Sequence, residues 1–214
     1  SLFNNNKFDL AELNFDKSAT IKKFLLSKEP KNTQYIAELA DTLSWQSSLY
    51  NKKHQLIESI NISTKSLELA KQLIKIEPEN IIWKQRLGQA LDRLALKNYD
   101  LGELLKASEL IAQSLPLFIQ LHHNDNSNQQ WLKELVNNYL LLAKIKKHQG
   151  NLDEAIVYIN KVENHFNMFS KESLNMKQTL IQQFDFIAES SLIFLSIDKP
   201  KAAESQFKQI SKIL

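Results

Sequence analysis

His122, His123 and Asp125 form the only cluster in the chain whose residue types and spacing could ligate a metal. They fall where a helical pattern should end. Histidine and asparagine are common helix-terminal residues, so the cluster reads as a helix terminus and no metal is expected. The sequence contains no His-Glu-x-x-His, no glycine-rich phosphate loop and no Gly-x-Ser-x-Gly. The acid pair Asp153-Glu154 opens a helical pattern, where the macrodipole favours negative charge. Serines are plentiful, but none has a base at a telling spacing. The residues therefore point away from catalysis, and no cofactor is expected.

Three tryptophans remain. Trp83 and Trp131 lie 48 residues apart, each on what reads as the inward stripe of a helix, so packing explains both. Trp45 falls outside that column, two residues past Leu43, which places it beside a groove rather than in a core.

The elements that position these residues follow a 48-residue lattice. Tyr35, Trp83 and Trp131 fall on it, as do Gly102 and Gly150, Pro30 and Pro78, and Asn32, Asn80 and Asn128. A further column reads Ala11, Ser59, Ala107, Ala155, Ala203. Scarce residues on one lattice indicate a repeat array, whose units contact mainly their neighbours. In the second unit Trp83, Leu87, Leu91 and Leu94 share one helical face. After Gly102, a second helix carries Leu105, Ala107, Ile111, Leu115 and Phe118. Each unit therefore reads as two antiparallel helices, A and B, of about 20 residues and about 30 Å each. Alanine or serine at the matched sites lets the two backbones approach closely. Gly102 and Gly150 suit a left-handed turn after helix A. Asn32, Asn80 and Asn128 are natural N-caps of helix A, with Pro30 and Pro78 ending the preceding helix B. Pro116 falls inside a helix B and should kink it.

Composition agrees. Only 3 glycines and 4 prolines occur in 214 residues, and apolar residues make up 43%. That favours long helices over a turn-rich β fold. The 27 basic and 24 acidic residues are well mixed, and only Arg86 and Arg93 are arginines, so no nucleic-acid partner is expected. There is no cysteine, which excludes disulfides and thiolate metal sites and is compatible with an oxidising compartment. No apolar run could span a bilayer, and no signal peptide is visible.

The stretches Tyr139-x2-Leu142-Ala143-x6-Gly150-Asn151-x3-Ala155 and Leu91-x2-Leu94-Ala95-x6-Gly102-x4-Ala107 resemble the tetratricopeptide repeat. The usual unit has 34 residues, so both helices are longer here. In this they are similar to the long repeats attached to bacterial membrane-anchored regulators and Ser/Thr kinases. The resemblance implies an all-α, right-handed α-solenoid of antiparallel helix pairs, about nine helices in all. It also implies a non-catalytic scaffold for protein or peptide binding, here the sensing or docking part of a larger bacterial signalling or transcriptional regulator. In that family helix A lines the concave surface. Carried onto this register, the lining is Asp41, Ser44, Ser48, Gln89, Asp92, Leu96, Asn137, Leu140, Lys144 and Lys147, with Trp45 beside it. The family variant that grips a peptide carboxylate needs Lys and Asn where this chain has Ser44, Ser48, Asp92 and Leu96, so that mode is not expected. The groove reads as acidic and hydroxylic early, then apolar and basic.

The whole chain, 1–214, reads as one repeat domain: a half repeat at 7–28, then repeats at 32–79, 80–127, 128–175 and 176–214. The half repeat is a helix B whose apolar face carries Phe8, Ala11, Phe15, Ala19 and Leu26. The last helix B ends in apolar Ile210, Ile213 and Leu214 without a polar cap. The chain lacks an initiating Met and reads as a piece of a longer protein, on this reading the extracytoplasmic part of a membrane-anchored one, with a cytoplasmic place as the alternative. The second functional reading is an assembly scaffold, a homodimer joined through its end faces.

Overall fold

The computed structural model describes residues 2–166, 168–169 and 177–213. Its helices are α1 Leu2–Lys28, α2 Thr33–Lys52, α3 Leu56–Ile76, α4 Ile81–Asp100, α5 Leu104–Asn124, α6 Gln129–His148, α7 Leu152–Phe166, α8 Lys177–Ser196 and α9 Pro200–Ile213. There is no strand among the described residues. No helix there is long and apolar enough to cross a membrane. The fold is all-α, of the α-solenoid class expected. Two compact units divide the chain, residues 1–114 and 115–214. The division falls inside α5, which contains Pro116.

The same local chemistry starts α2, α4 and α6. Asn32 accepts from the amides of Gln34 (3.1 Å) and Tyr35 (3.2 Å), so two otherwise unpaired N–H groups of α2 are satisfied. Asn80 does this for Ile82 (2.9 Å) and Trp83 (3.4 Å) at α4, and Asn128 for Gln130 (3.1 Å) and Trp131 (3.2 Å) at α6. A carboxylate three residues earlier steadies the first two caps: Glu29 accepts from Asn32 (2.8 Å) and Glu77 from Asn80 (2.6 Å). Glu77 also takes the Trp83 indole N–H at 2.8 Å. These two donors hold its carboxyl below the usual carboxylate range.

The turn from helix A to helix B is equally regular. Gly102 (φ 87) and Gly150 (φ 78) are left-handed, as expected. His54 (φ 59) and Asp198 (φ 56) take the same conformation at the same lattice position without glycine's freedom.

Within each pair the small-residue column is buried. Ser59, Ala107, Ala155 and Ala203 are all buried, as are Ser47, Ala95, Ala143 and Ser191 on the facing helix A. In the first pair serine hydroxyls fill the seam. Ser47 Oγ donates to the Ser59 carbonyl (2.7 Å), and its hydroxyl lies 2.6 Å from that of Ser63. Ser66 donates to the Ala40 carbonyl at 2.9 Å. Buried hydroxyls paired in this way avoid the cost of an orphaned polar group.

In the first unit Ile36, Leu39, Leu43, Leu69 and Leu73 form the core, with Ala19 of α1 and the half-buried Trp83 against it. In the second, Trp131, Leu135, Tyr139 and Leu140 of α6 pack on Ile159 and Val162 of α7 and on Phe186 and Ile187 of α8. One core column is heterogeneous. Leu49, Ile145 and Ile193 are buried where α4 has Lys97, itself only 7% exposed. Burial pushes the Lys97 amine down, and neighbouring Arg93 adds to the effect.

Helix α1 docks on α2. Ala19 is buried, and Phe8, Ala11, Phe15 and Leu26 are half-buried. Polar contacts flank this seam. Glu12 accepts from the Tyr50 hydroxyl (2.5 Å) and from Lys53 (2.6 Å), and Gln46 donates to Asp16 (2.7 Å). The Glu12 bond pushes the Tyr50 phenol up to about 12. The side chains of Ile210, Ile213 and Leu214, expected on the last apolar face, lie outside the described residues.

Candidate functional site

A cavity of about 470 Å³ lies between α2 and α4, floored by α3. Helix α2 contributes Ala40, Asp41, Ser44, Trp45 and Ser48, and α3 contributes Ser66, Ala70 and Leu73. Helix α4 contributes Ile82, Gln85, Arg86, Gln89, Ala90 and Arg93. The floor residues Ser66, Ala70 and Leu73 are buried and fixed by the α2–α3 seam, so the walls alone can adapt.

Its chemistry is concentrated. Trp45 is 67% exposed, the most exposed of the chain's tryptophans, and Ile82, elsewhere in the same lining, is 59% exposed. Such apolar surface on a rigid helix is a ready anchor for a partner side chain. Both arginines of the chain are in this one lining. Arg86 reaches across the groove to Asp41 at 2.5 Å and lies over the Trp83 ring at 5.6 Å. The pair is solvent-accessible, so its net contribution to stability is small and a ligand carboxylate could compete for the guanidinium. Asp41 is the single acid of the lining against two arginines, which leaves the groove net positive.

Of the residues expected from sequence, Asp41, Ser44, Trp45, Ser48 and Gln89 meet here. Asp92 and Leu96 do not. They repeat the register of Ser44 and Ser48 one A helix later, on the other flank of α4, where Asp92 accepts from the Ser114 hydroxyl and Leu96 is exposed. The expected second-unit residues are engaged in packing. Leu140 is 4% exposed and belongs to the α6–α7 core, a correction to its expected place on a groove wall. Lys144 is paired to Asp185 at 2.6 Å and Lys147 to Glu189 at 2.5 Å, so these lysines tie α6 to α8 rather than present free charge. Asn137 is half-buried. Sequence reasoning missed the floor residues, Ala40 and Ala90, and, of more chemical consequence, Ile82, Gln85, Arg86 and Arg93. The signal was present in the two arginines one heptad apart on a single helix face.

The histidine cluster lines a second cavity, of about 420 Å³, in residues 115–214. His122, His123 and Asn126 of α5 and its following loop meet Leu135 and Tyr139 of α6 and His165 of α7. Asp125 is turned to the loop instead, where it accepts from the Ser127 hydroxyl (2.6 Å) and amide (3.0 Å). Those two bonds hold its carboxyl low. His122 is buried with no hydrogen-bond partner at either ring nitrogen. Burial, with His165 nearby, pushes its pKa down. Among the described residues, no three His, Asp or Glu side chains come together to hold a metal.

No family profile matches the chain, and no curated protein matches it. Solved structures do match. BtubC (BKLC) from P. vanneervenii aligns with a TM-score of 0.55 at 12% identity, over 96% of this chain and 90% of that one. A Podosopora anserina protein described as a kinesin light chain with nearly identical TPR-like repeats aligns with a TM-score of 0.53 at 13% identity, over 98% and 93%. Identity at this level speaks for the fold alone. With the capped A helices, the left-handed turns and the small-residue seams, it shows that this chain has a tetratricopeptide-like helical-repeat fold.

Proposed function

We propose that the chain is a non-catalytic protein-recognition domain that holds a peptide segment in the α2–α4 groove. The observation that carries this reading is an exposed tryptophan, Trp45, facing both arginines across a cavity with a rigid floor. An extended or helical peptide fits such a surface: an apolar side chain meets Trp45 and Ile82, and polar groups meet Arg86, Gln89 and Ser48. The wider role is that of the docking part of a larger signalling or transcriptional regulator. The long repeat and the absence of catalytic motifs support it. The repeats at 32–79 and 80–127 supply the two walls of the groove.

Selection of a displayed peptide library on the chain, followed by titration of the enriched peptides, tests the reading. Trp45→Ala should weaken binding by about tenfold or more, with helicity unchanged. Peptides bound equally well by wild type and Trp45→Ala would refute the groove. Lys144→Glu and Lys147→Glu are unsuitable probes, since each would place a carboxylate against Asp185 or Glu189.

A further inference from the structure

Helix α1 carries a second apolar stripe that α2 does not cover. Leu10, Leu13, Ile21 and Phe24 are 49% to 60% exposed. At 100° per residue they form one narrow face with Lys17 at its middle. This face is opposite to the one that holds Glu12, Asp16 and Ala19 against α2. A helix that is apolar on two opposite sides is built to be covered on both.

Repeat packing does not account for the outer stripe. Helix α3 has an A helix on each side, α2 and α4, and it shows what such neighbours cover. Shifted by one repeat, Leu10, Leu13, Lys17 and Phe24 correspond to Glu58, Asn61, Lys65 and Gln72. All four remain exposed on α3. Only Ile21 has a buried counterpart, Leu69. Another helix pair stacked on α1 would therefore leave Leu10, Leu13 and Phe24 in water.

We propose that a second copy of the chain covers this stripe, with the two α1 helices antiparallel about a two-fold axis at Lys17. The spacing 10, 13, 17, 21, 24 is symmetric about residue 17. Antiparallel pairing sets Leu10 of one copy against Phe24 of the other, and Leu13 against Ile21. A two-fold interface requires this self-complementarity. Charge agrees with the same direction. Asp9, which also lies 3.8 Å from Lys53 of its own copy, flanks the early half of the stripe and Lys23 the late half, both exposed, so the antiparallel pair brings each Asp9 near the other copy's Lys23. A parallel pair would set like against like. The four side chains expose on the order of 400 Å² per copy, and a pair with its flanks buries roughly 1,000 Å², the lower edge of a specific interface. A dimer with a micromolar dissociation constant follows, weakened by the two Lys17 side chains that meet at the axis. The stripe shares no residue with the α2–α4 groove, so either proposal can fail alone.

The chain has no cysteine, so single-cysteine variants report register without background. Under mild oxidation Lys17→Cys should cross-link to itself. Leu10→Cys and Phe24→Cys should each stay monomeric alone and cross-link when mixed. In sedimentation, wild type should pass from monomer to dimer across the micromolar range. Leu13→Glu should raise the dissociation constant about tenfold or more with an unchanged circular dichroism spectrum, and Lys17→Leu should lower it by a similar factor. The gain in Lys17→Leu is a readout that a folding defect cannot imitate. A wild-type chain monomeric up to several hundred micromolar overturns the proposal. So does Leu10→Cys linking to itself as readily as to Phe24→Cys.

Discussion

At the scale of single residues, backbone geometry and one buried imidazole carry the sharpest expectations. Gly150 has φ 78, and a Cβ added there would meet no atom within 4 Å. Gly150→Ala should therefore cost about 1–2 kcal/mol in chemical denaturation, all of it backbone strain. Asn128→Ala removes a cap that takes two amides and should cost about 1 kcal/mol, while Asn128→Gly costs only a few tenths. His122 sets a pH window. Its folded-state pKa lies below the ordinary 6.5, so the folded chain binds this proton less readily than the unfolded one. The stability it confers is complete above about pH 6.5 and is lost as pH falls through the folded value. His123 on its own element, Asp125 in the loop that follows it, His165 and Lys161 on α7 and Tyr139 on α6 surround it or its cavity. Melting curves between pH 7.5 and 5 should show wild type losing more stability than His122→Phe. Parallel losses in the two proteins would remove His122 as the cause.

At the scale of the elements, helix pairs are set by small residues where two backbones meet. Ala155 is fully buried opposite Ala143, so Ala155→Leu should force α6 and α7 apart and cost about 3 kcal/mol or more by denaturant titration. Lys97 is the converse case. It occupies a column that is otherwise Leu49, Ile145 and Ile193, and Lys97→Leu should stabilise the chain by about 1 kcal/mol. A destabilised variant would show that the ammonium has a role the column does not reveal. Much of this level is legible in sequence, because caps, left-handed glycines and small-residue seams are local and recur. The left-handed conformation of His54 and Asp198 is less legible, because their residue types do not announce a positive φ even though their lattice position is that of Gly102 and Gly150. The outer stripe of α1 is obscured for another reason. The inner face Phe8, Phe15, Ala19 and Leu26 already satisfies the period, and only burial shows that Leu10, Leu13 and Phe24 lie opposite to it.

At the scale of the whole molecule, the repeat lattice assigns each residue to a face but not to a partner. Asp41, Ser44, Trp45, Ser48 and Gln89 all line the α2–α4 cavity. Lys144 and Lys147 are expected in the same lining, yet their ammonium groups are claimed by Asp185 and Glu189, more than forty residues away, and no period predicts such a pair. Leu140 is likewise drawn into a core that the register alone assigns to its neighbours. The groove of the first unit is thus where wall chemistry, exposure and a fixed floor coincide. Amide shift mapping of the 15N-labelled chain with a library-selected peptide tests this most directly. The account predicts perturbations clustered between Asp41 and Ser48 and between Ile82 and Arg93. Perturbations centred on the His122 cavity or on α1, with those two segments silent, would contradict it.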